Sequence, residues 1–126
     1  MPIRTRTADP PLSSHLPLKA DVLMILLALR DGEQHGYAIM RDALARSEGT
    51  VRLQAGALYR VLKRLLDNGL VEETERSGAP TAEDERRRYY RLSRLGADVL
   101  DAELRRLARL IGGPRAASAR RRPRPA

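Results

Sequence analysis

The chain has 126 residues and a formal net charge of +8, which supports one domain and favours nucleic acid or another anionic surface as its partner. It contains no Cys, which excludes disulfides and thiolate metal sites. Its two histidines, His15 and His35, lie far apart in the sequence, so we expect no metal centre and no cofactor.

The first 17 residues are polar and rich in Pro, and they predict a disordered arm. They lack the apolar stretch that is typical of a signal peptide. The longest apolar run, VLMILLAL, is too short to cross a bilayer. These features lead us to expect a cytoplasmic protein.

Two helices are predicted after the arm. The first covers residues 19–30, where apolar residues fall on more than one face, so we expect this helix to be largely buried. RDGEQHG predicts a loop. The second helix is predicted over residues 37–46 and ends at SEGT.

A third helix is predicted over residues 54–68, and the pair Asn68–Gly69 ends it. Leucines share one side at helical spacing, and polar and basic residues share the other. From Arg52 to Arg64 there are four basic residues and no acidic residue. On one helix alone, such a face fits a solvated surface as well as a binding surface.

Two strands are predicted next, in LVEETE and RRRYYRLS, with the turn-rich RSGAPTAEDE between them. Alternation places Tyr89 and Tyr90 on opposite faces. Arg86, Arg87 and Arg88 stand at the loop end of the second strand, where a wing would contact DNA phosphates. The alternative is a solvated turn in which the loop acids pair with these arginines.

A last helix is predicted over residues 94–111, with apolar residues stepping by four, three and four as in a coiled-coil seam. The seam has nothing obvious to pack on in so small a domain, so we expect it to form a two-fold dimer with the first helix. The expected dimerisation residues are Leu23, Leu27, Leu100, Leu104, Leu107 and Ile111. Residues 113–126 predict a disordered basic tail, which carries five of the eight net charges.

The order of helix, helix, helix, hairpin and helix is the outline of a winged helix-turn-helix domain over residues 18–93, followed by a dimerisation helix over residues 94–112. The fold class is therefore mainly α with a small β-hairpin. In such domains the third helix enters the major groove of DNA. The expected DNA-binding residues are Arg52, Gln54, Gly56, Tyr59, Arg60, Lys63, Arg64, Arg86, Arg87 and Arg88.

Three stretches, HGYAIMRDAL, GALYRVLKRLLDNGLVE and RRRYYRLSRLG, resemble successive signatures of PadR-like transcriptional regulators. The matches fall at residues 35–37, 56–71 and 88–96, and the resemblance covers about residues 18–111. Each motif alone is weak, whereas three in this order and at these separations are specific. The resemblance implies a dimeric winged-helix repressor of the compact subgroup, with its single C-terminal helix in the dimer interface.

We therefore expect a sequence-specific, dimeric DNA-binding repressor of an inverted-repeat operator. No Ser-His-Asp set, paired carboxylate cleft or Gly-rich phosphate loop points to an enzyme. The alternatives are a nucleoid-type DNA binder driven by the tail and a protein-interaction module. His35 fits either a pH or metal sensor or a helix-start residue that bonds to the local backbone, and we expect the second. The sequence identifies no small-molecule effector.

Overall fold

A computed structural model describes residues 11–74 and 88–112 of the chain. The elements are a 3-10 helix (Leu12–His15), α1 (Ala20–Arg30), β1 (Gln34–His35), α2 (Gly36–Arg46), α3 (Ala55–Asp67), β2 (Val71–Thr74), β3 (Tyr89–Leu92) and α4 (Arg94–Gly112). This order confirms the predicted mainly helical, winged helix-turn-helix architecture. The predicted tail and the predicted hairpin loop RSGAPTAEDE lie outside the described residues.

Helix α1 is the centre of the hydrophobic core. Ile25, Leu26 and Ala28 are completely buried, and Leu29 is almost so. The helix packs against α2, α4 and β3, and Leu23 and Leu27 also pack on the core. The prediction that this helix is buried on more than one face is therefore confirmed.

The end of α3 turns the chain directly into the sheet. Gly69 has a positive φ of 77°, which glycine adopts without steric cost. The Leu70 N–H donates to the Leu65 carbonyl (2.9 Å) and the Gly69 N–H to the Leu66 carbonyl (3.1 Å), the pattern of a Schellman cap. Leu65 and Leu70 are both buried, so the cap also closes the core. The predicted stop at Asn68–Gly69 is confirmed.

The sheet has three antiparallel strands in the order β1-β3-β2. Tyr90 packs into the core while Tyr89 lies on the opposite face, which confirms the predicted alternation. The loop predicted for RDGEQHG is wrong at Gln34 and His35, which pair with Tyr90 and Tyr89 as a third strand. A strand of two residues has no periodicity of its own, because its partner on a distant strand defines it.

Helix α4 begins where the hairpin and the end of α3 meet. The Ser93 hydroxyl donates to the Gly69 carbonyl (2.5 Å) and accepts from the Gly96 N–H (2.9 Å), so Ser93 acts as the helix N-cap. Gly96 lies so close to the Leu70 carbonyl that any Cβ there would overlap the carbonyl oxygen. The serine and glycine of RLSRLG therefore hold three elements together.

The N-terminal segment requires a correction. The predicted disorder through residue 17 is wrong for residues 11–17, because the 3-10 helix lies against α4, and Leu12 in that helix and Leu16 after it pack on the core. The Leu18 N–H also donates to the Glu103 carboxylate on α4 (2.9 Å). The few apolar residues of this segment form no period, and their partners lie at the other end of the chain. Residues 1–10 lie outside the described residues.

Candidate nucleic-acid interface

Helix α3 has two sharply different faces. Leu58, Val61, Leu62 and Leu65 point into the core and are buried. Every residue predicted to meet DNA from this helix or the segment before it is exposed, and together they form a surface that we call the α3 face: Arg52, Gln54, Gly56, Tyr59, Arg60, Lys63 and Arg64.

The positive charge of the α3 face is largely uncompensated. Within residues 11–74 and 88–112, Arg52, Arg60 and Arg64 form no ion pair. Lys63 lies 3.5 Å from the Asp67 carboxylate, and both side chains are mostly exposed. An exposed pair of this kind is worth about 1 kcal/mol or less, so a phosphate can compete for the lysine. The α3 face therefore offers cationic donors to an anionic partner.

Tyr59 joins the α3 face to the start of α2. Its side chain is 47% exposed, but its hydroxyl end rests on Gly36. A Cβ at Gly36 would overlap that hydroxyl and would lie 2.8 Å from the ring Cζ. The glycine of the HGY motif therefore makes room for the tyrosine of α3.

His35 caps α2 and contacts the sheet. Its Nδ1 accepts a hydrogen bond from the Ala38 N–H (3.2 Å), as an N-cap side chain does. Its ring stands edge-on to Tyr89, with centroids 5.4 Å apart and planes at 86°. The expectation that His35 is a helix-start residue is confirmed. HGY thus ties α2 to β3 through His35 and to α3 through Gly36.

An exposed pair on α2 was not among the predicted site residues. Tyr37 is 59% exposed, and the Arg41 guanidinium lies 5.6 Å from the centre of its ring. Tyr37 immediately follows the glycine on which Tyr59 rests. In helix-turn-helix domains the helix before the recognition helix crosses the DNA backbone. The sequence signal for this pair was the spacing of four residues between Tyr37 and Arg41, which places both side chains on one face of a helix.

The wing is described only in part. Arg88 is exposed and forms an ion pair with Glu73 on β2, which raises the pKa of Arg88 above its ordinary value. The predicted alternative placed the pairing acids in the loop, whereas this partner lies on the neighbouring strand. Burial also raises the pKa of Tyr90, which lies two residues after Arg88 and packs into the core. Arg86 and Arg87 lie outside the described residues.

The predicted dimerisation residues fall into two groups. Leu23, Leu27, Leu104 and Leu107 are half-buried, and Ile111 is 81% exposed. Leu100 is only 2% exposed and belongs to the core of its own chain. The prediction that Leu100 faces a second subunit is therefore wrong, because the first turns of α4 already pack on α1 and β3.

Metal ions and membranes have no evident site in the described part of the chain. Residues 11–74 and 88–112 contain no group of three or more His, Cys, Asp or Glu side chains placed to hold a metal ion. No helix in the same ranges combines the length and apolar character needed to cross a membrane.

Comparison with known proteins gives one family match. The sequence model of the transcriptional regulator PadR-like family matches residues 25–102, more than half of the chain. A curated relative from Streptomyces fradiae, an uncharacterized 37.1 kDa protein in transposon TN4556, is 37% identical over 90 residues. The match covers 71% of this chain and 24% of the relative, so the chain spans about a quarter of that protein's length.

Solved structures share the fold. The complex structure of hsRosR-S4, a form of H. salinarum RosR, is 26% identical, with 85% of this chain and 86% of that chain covered and a TM-score of 0.65. A PadR family transcription regulator from Clostridium difficile R20291 is also 26% identical, with 74% and 91% covered and a TM-score of 0.59. Bacillus subtilis PadR in complex with operator DNA is 19% identical, with 87% and 51% covered and a TM-score of 0.54, and this likeness shows the fold alone.

Proposed function

Since the chain belongs to the PadR-like family of DNA-binding transcriptional regulators, we propose that it is a dimeric repressor that recognises a specific operator through α3. The observation that carries this proposal is the α3 face, whose three arginines have no acidic partner within the described residues. A helix with one face in the core and the other free and cationic is suited to the major groove.

Different residues of the α3 face have different roles in this proposal. Gln54 precedes the helix and Arg60 lies one turn inside it, so we assign base contacts to these two. A bidentate contact of either with a base contributes roughly 1–3 kcal/mol of discrimination. Lys63 and Arg64 lie farther along the helix and contact phosphates, as Arg52 does, so they contribute affinity without sequence preference. Gly56 allows close approach of the backbone.

Contacts outside α3 fix the orientation of the domain on DNA. The wing arginines Arg86, Arg87 and Arg88 contact phosphates that flank the recognition site. Arg88 contributes less than a free arginine, because Glu73 competes for its guanidinium. On the other side, Tyr37 and Arg41 lie where α2 crosses the DNA backbone.

The dimer in this proposal is built from α1 and α4, with a two-fold axis between the subunits. Helix α4 contributes Leu104, Leu107 and Ile111 to the interface, and α1 contributes Leu23 and Leu27. Two recognition helices then read half-sites about 34–36 Å apart. Changing Leu104 and Leu107 to Glu is expected to give monomers with weaker operator binding. A wild-type monomer in light scattering at micromolar concentration contradicts the dimer but not DNA binding.

The decisive test begins with selection of bound fragments from the organism's own genome. Affinities of Gln54→Ala, Arg60→Ala and Lys63→Ala are then measured on the selected operator and on a scrambled duplex, with folding checked by circular dichroism. The first two are expected to lower the operator-to-scramble ratio, and Lys63→Ala is expected to weaken both duplexes alike. An unchanged ratio in both Gln54→Ala and Arg60→Ala contradicts α3 as the reading element.

A second candidate, a nucleoid-type binder without sequence preference, is favoured by the five arginines of residues 113–126. Deleting that tail is expected to weaken non-specific binding and flatten its salt dependence, because fewer counterions are released. Operator preference is expected to survive the deletion. Loss of selectivity with the tail supports the second candidate instead.

A further inference from the structure

A cleft of about 530 Å³ lies between the N-terminal segment and α4, at a distance from the recognition machinery. Its volume falls within the range of small-molecule sites, roughly 300–1,000 Å³. One wall is mainly apolar and the other carries guanidinium groups. The lining residues are Leu12, Ser13, Leu16 and Pro17 from the N-terminal segment, and Ala102, Arg105, Arg106 and Arg109 from α4.

One of these arginines is held in place by a buried acid. Glu103 is 1% exposed, and among the described residues it is the one buried side chain that carries a charge. Its carboxylate accepts from Arg106 Nε (2.6 Å) and from a terminal nitrogen of the same guanidinium (3.1 Å). It also accepts from the Leu18 N–H (2.9 Å), which ties the N-terminal segment to α4. Because a buried carboxylate is costly without such partners, the pair fixes Arg106 at the cleft wall.

The cleft wall has an excess of positive charge. Arg105 is paired with Asp101 one turn earlier, and Arg106 with Glu103. Arg109 has no ion-pair partner within residues 11–74 and 88–112. Arg106 uses its Nε and one terminal nitrogen on Glu103, which leaves the other terminal nitrogen free to donate. Three guanidiniums against two carboxylates leave one uncompensated positive charge beside an apolar wall.

The cleft stays open in the proposed dimer. At 100° per residue, positions 102, 105, 106 and 109 centre about 180° around α4 from positions 104, 107 and 111. A second subunit seated on Leu104, Leu107 and Ile111 therefore covers the side of α4 that faces away from the cleft. The site lies within one chain and needs no residue from a partner.

We propose that this cleft binds a small monocarboxylate with an apolar chain. Its carboxylate accepts hydrogen bonds from Arg106 and Arg109, since guanidinium and carboxylate form strong charge-assisted pairs. Its apolar chain lies against Leu12, Leu16 and Ala102, where burial of apolar surface favours binding. Such a ligand bridges the N-terminal segment and α4. This site is separate from the α3 face, so its test does not depend on DNA binding.

The probe is octanoate, titrated into the full-length chain and followed by amide chemical shifts in NMR spectra. 1-Octanol supplies the chain without the charge, and acetate supplies the charge without the chain. Octanoate is expected to shift the amides of residues 12–18 and 102–109, and to bind roughly fivefold or more tightly than either comparator. Equal binding of octanoate and 1-octanol, shifts confined to residues outside the cleft, or no binding overturns the proposal.

Two variants locate the site. Arg109→Gln is expected to weaken octanoate binding roughly fivefold or more, because it removes a charged donor. Arg94→Gln is the matched control, since it removes the same charge from an exposed position about 22 Å earlier on the same helix. Ala102→Phe fills the cleft and is expected to abolish binding, with its fold checked by circular dichroism. Because Arg109 is exposed, its variant decides the question even when Ala102→Phe misfolds. Equal affinities of Arg109→Gln and Arg94→Gln contradict the assignment.

Discussion

Helices α3 and α4 both carry arginines on their outer sides, but in the described part of the chain most of those on α4 are paired with acids, whereas those on α3 are not. On α3, Arg60 and Arg64 have no acidic partner within the described residues. On α4, acids one turn away neutralise three arginines, in the pairs Arg94–Asp98, Arg105–Asp101 and Arg106–Glu103. The comparison teaches that net charge does not locate a binding surface. The surroundings of each charge do, because an arginine beside an acid attracts a phosphate less strongly than an unpaired arginine does.

The two regions are therefore expected to respond differently to the same substitution. Removing a free arginine from α3 affects binding and leaves no buried group unsatisfied. Removing a paired arginine from α4 lowers stability if the acidic partner is buried. If the acidic partner is exposed, stability changes little.

The largest effect is expected where the two regions join. Gly96→Ala places a Cβ against the Leu70 carbonyl, a backbone group that cannot rotate away. We expect the free energy of unfolding to fall by about 3 kcal/mol or more, at the upper end of overpacking costs. Urea denaturation measures it. Gly112→Ala is the control, because a Cβ there meets nothing within 4 Å. Equal stability of the two variants contradicts the close approach.

The second effect separates the arginines within α4. Arg106→Gln leaves the buried Glu103 carboxylate without its ion-pair partner, so we expect a larger fall in stability than from breaking an exposed pair. Arg105→Gln breaks an exposed pair and is expected to cost about 0.5 kcal/mol or less. Thermal unfolding compares the two. Similar decreases show that the burial of Glu103 does not matter.

The third effect is a dependence on acid. The hydrogen bond from Arg106 holds the pKa of Glu103 below its ordinary value. The resulting stabilisation is complete above the ordinary glutamate pKa of about 4.3, and it disappears as the pH falls through the lowered folded-state pKa. Stability of the wild type is therefore expected to fall more steeply below about pH 4 than that of Glu103→Gln. Parallel pH curves contradict the contribution of this carboxylate.

The smallest effect concerns the fit between the HGY motif and α3. Gly36→Ala displaces the Tyr59 hydroxyl, and a flexible side chain can yield at a cost of about 1 kcal/mol. Operator affinity is expected to fall severalfold, because Tyr59 lies on the α3 face. Adding Tyr59→Leu to Gly36→Ala removes the overlap and is expected to recover stability but not affinity. Unfolding and operator binding are measured for Gly36→Ala, for Tyr59→Leu and for the double variant. If the stability changes of the two single variants add up to that of the double variant, the two residues are not coupled.

Much of this molecule was predictable from local patterns. The amphipathic α3, its stop at Asn68–Gly69 and the alternation of Tyr89 and Tyr90 depend on spacing and turn chemistry within a few residues.

Features that depend on distant partners were not predictable in this way. Strand β1 exists because β3 pairs with it, and the 3-10 helix is placed by its packing on α4. Leu100 and Leu104 share one apolar stripe, yet Leu100 belongs to the buried core of its own chain and Leu104 is only partly buried against it. The burial of Glu103 has the same cause, since its partner Leu18 lies at the other end of the chain.

The most direct test of the central claim removes equal charge from the two helices. Operator affinity is measured over a range of salt concentrations for Arg60→Gln/Arg64→Gln on α3 and for Arg94→Gln/Arg105→Gln on α4. The α3 pair is expected to lower affinity roughly tenfold or more and to reduce the salt slope by about 1 for each phosphate that is no longer neutralised. The α4 pair is expected to change affinity less than about twofold, because each of its arginines has an acid beside it and, in the proposed complex, lies away from DNA. Equal decreases from the two pairs would mean that DNA responds to net charge alone, and would contradict α3 as the recognition surface.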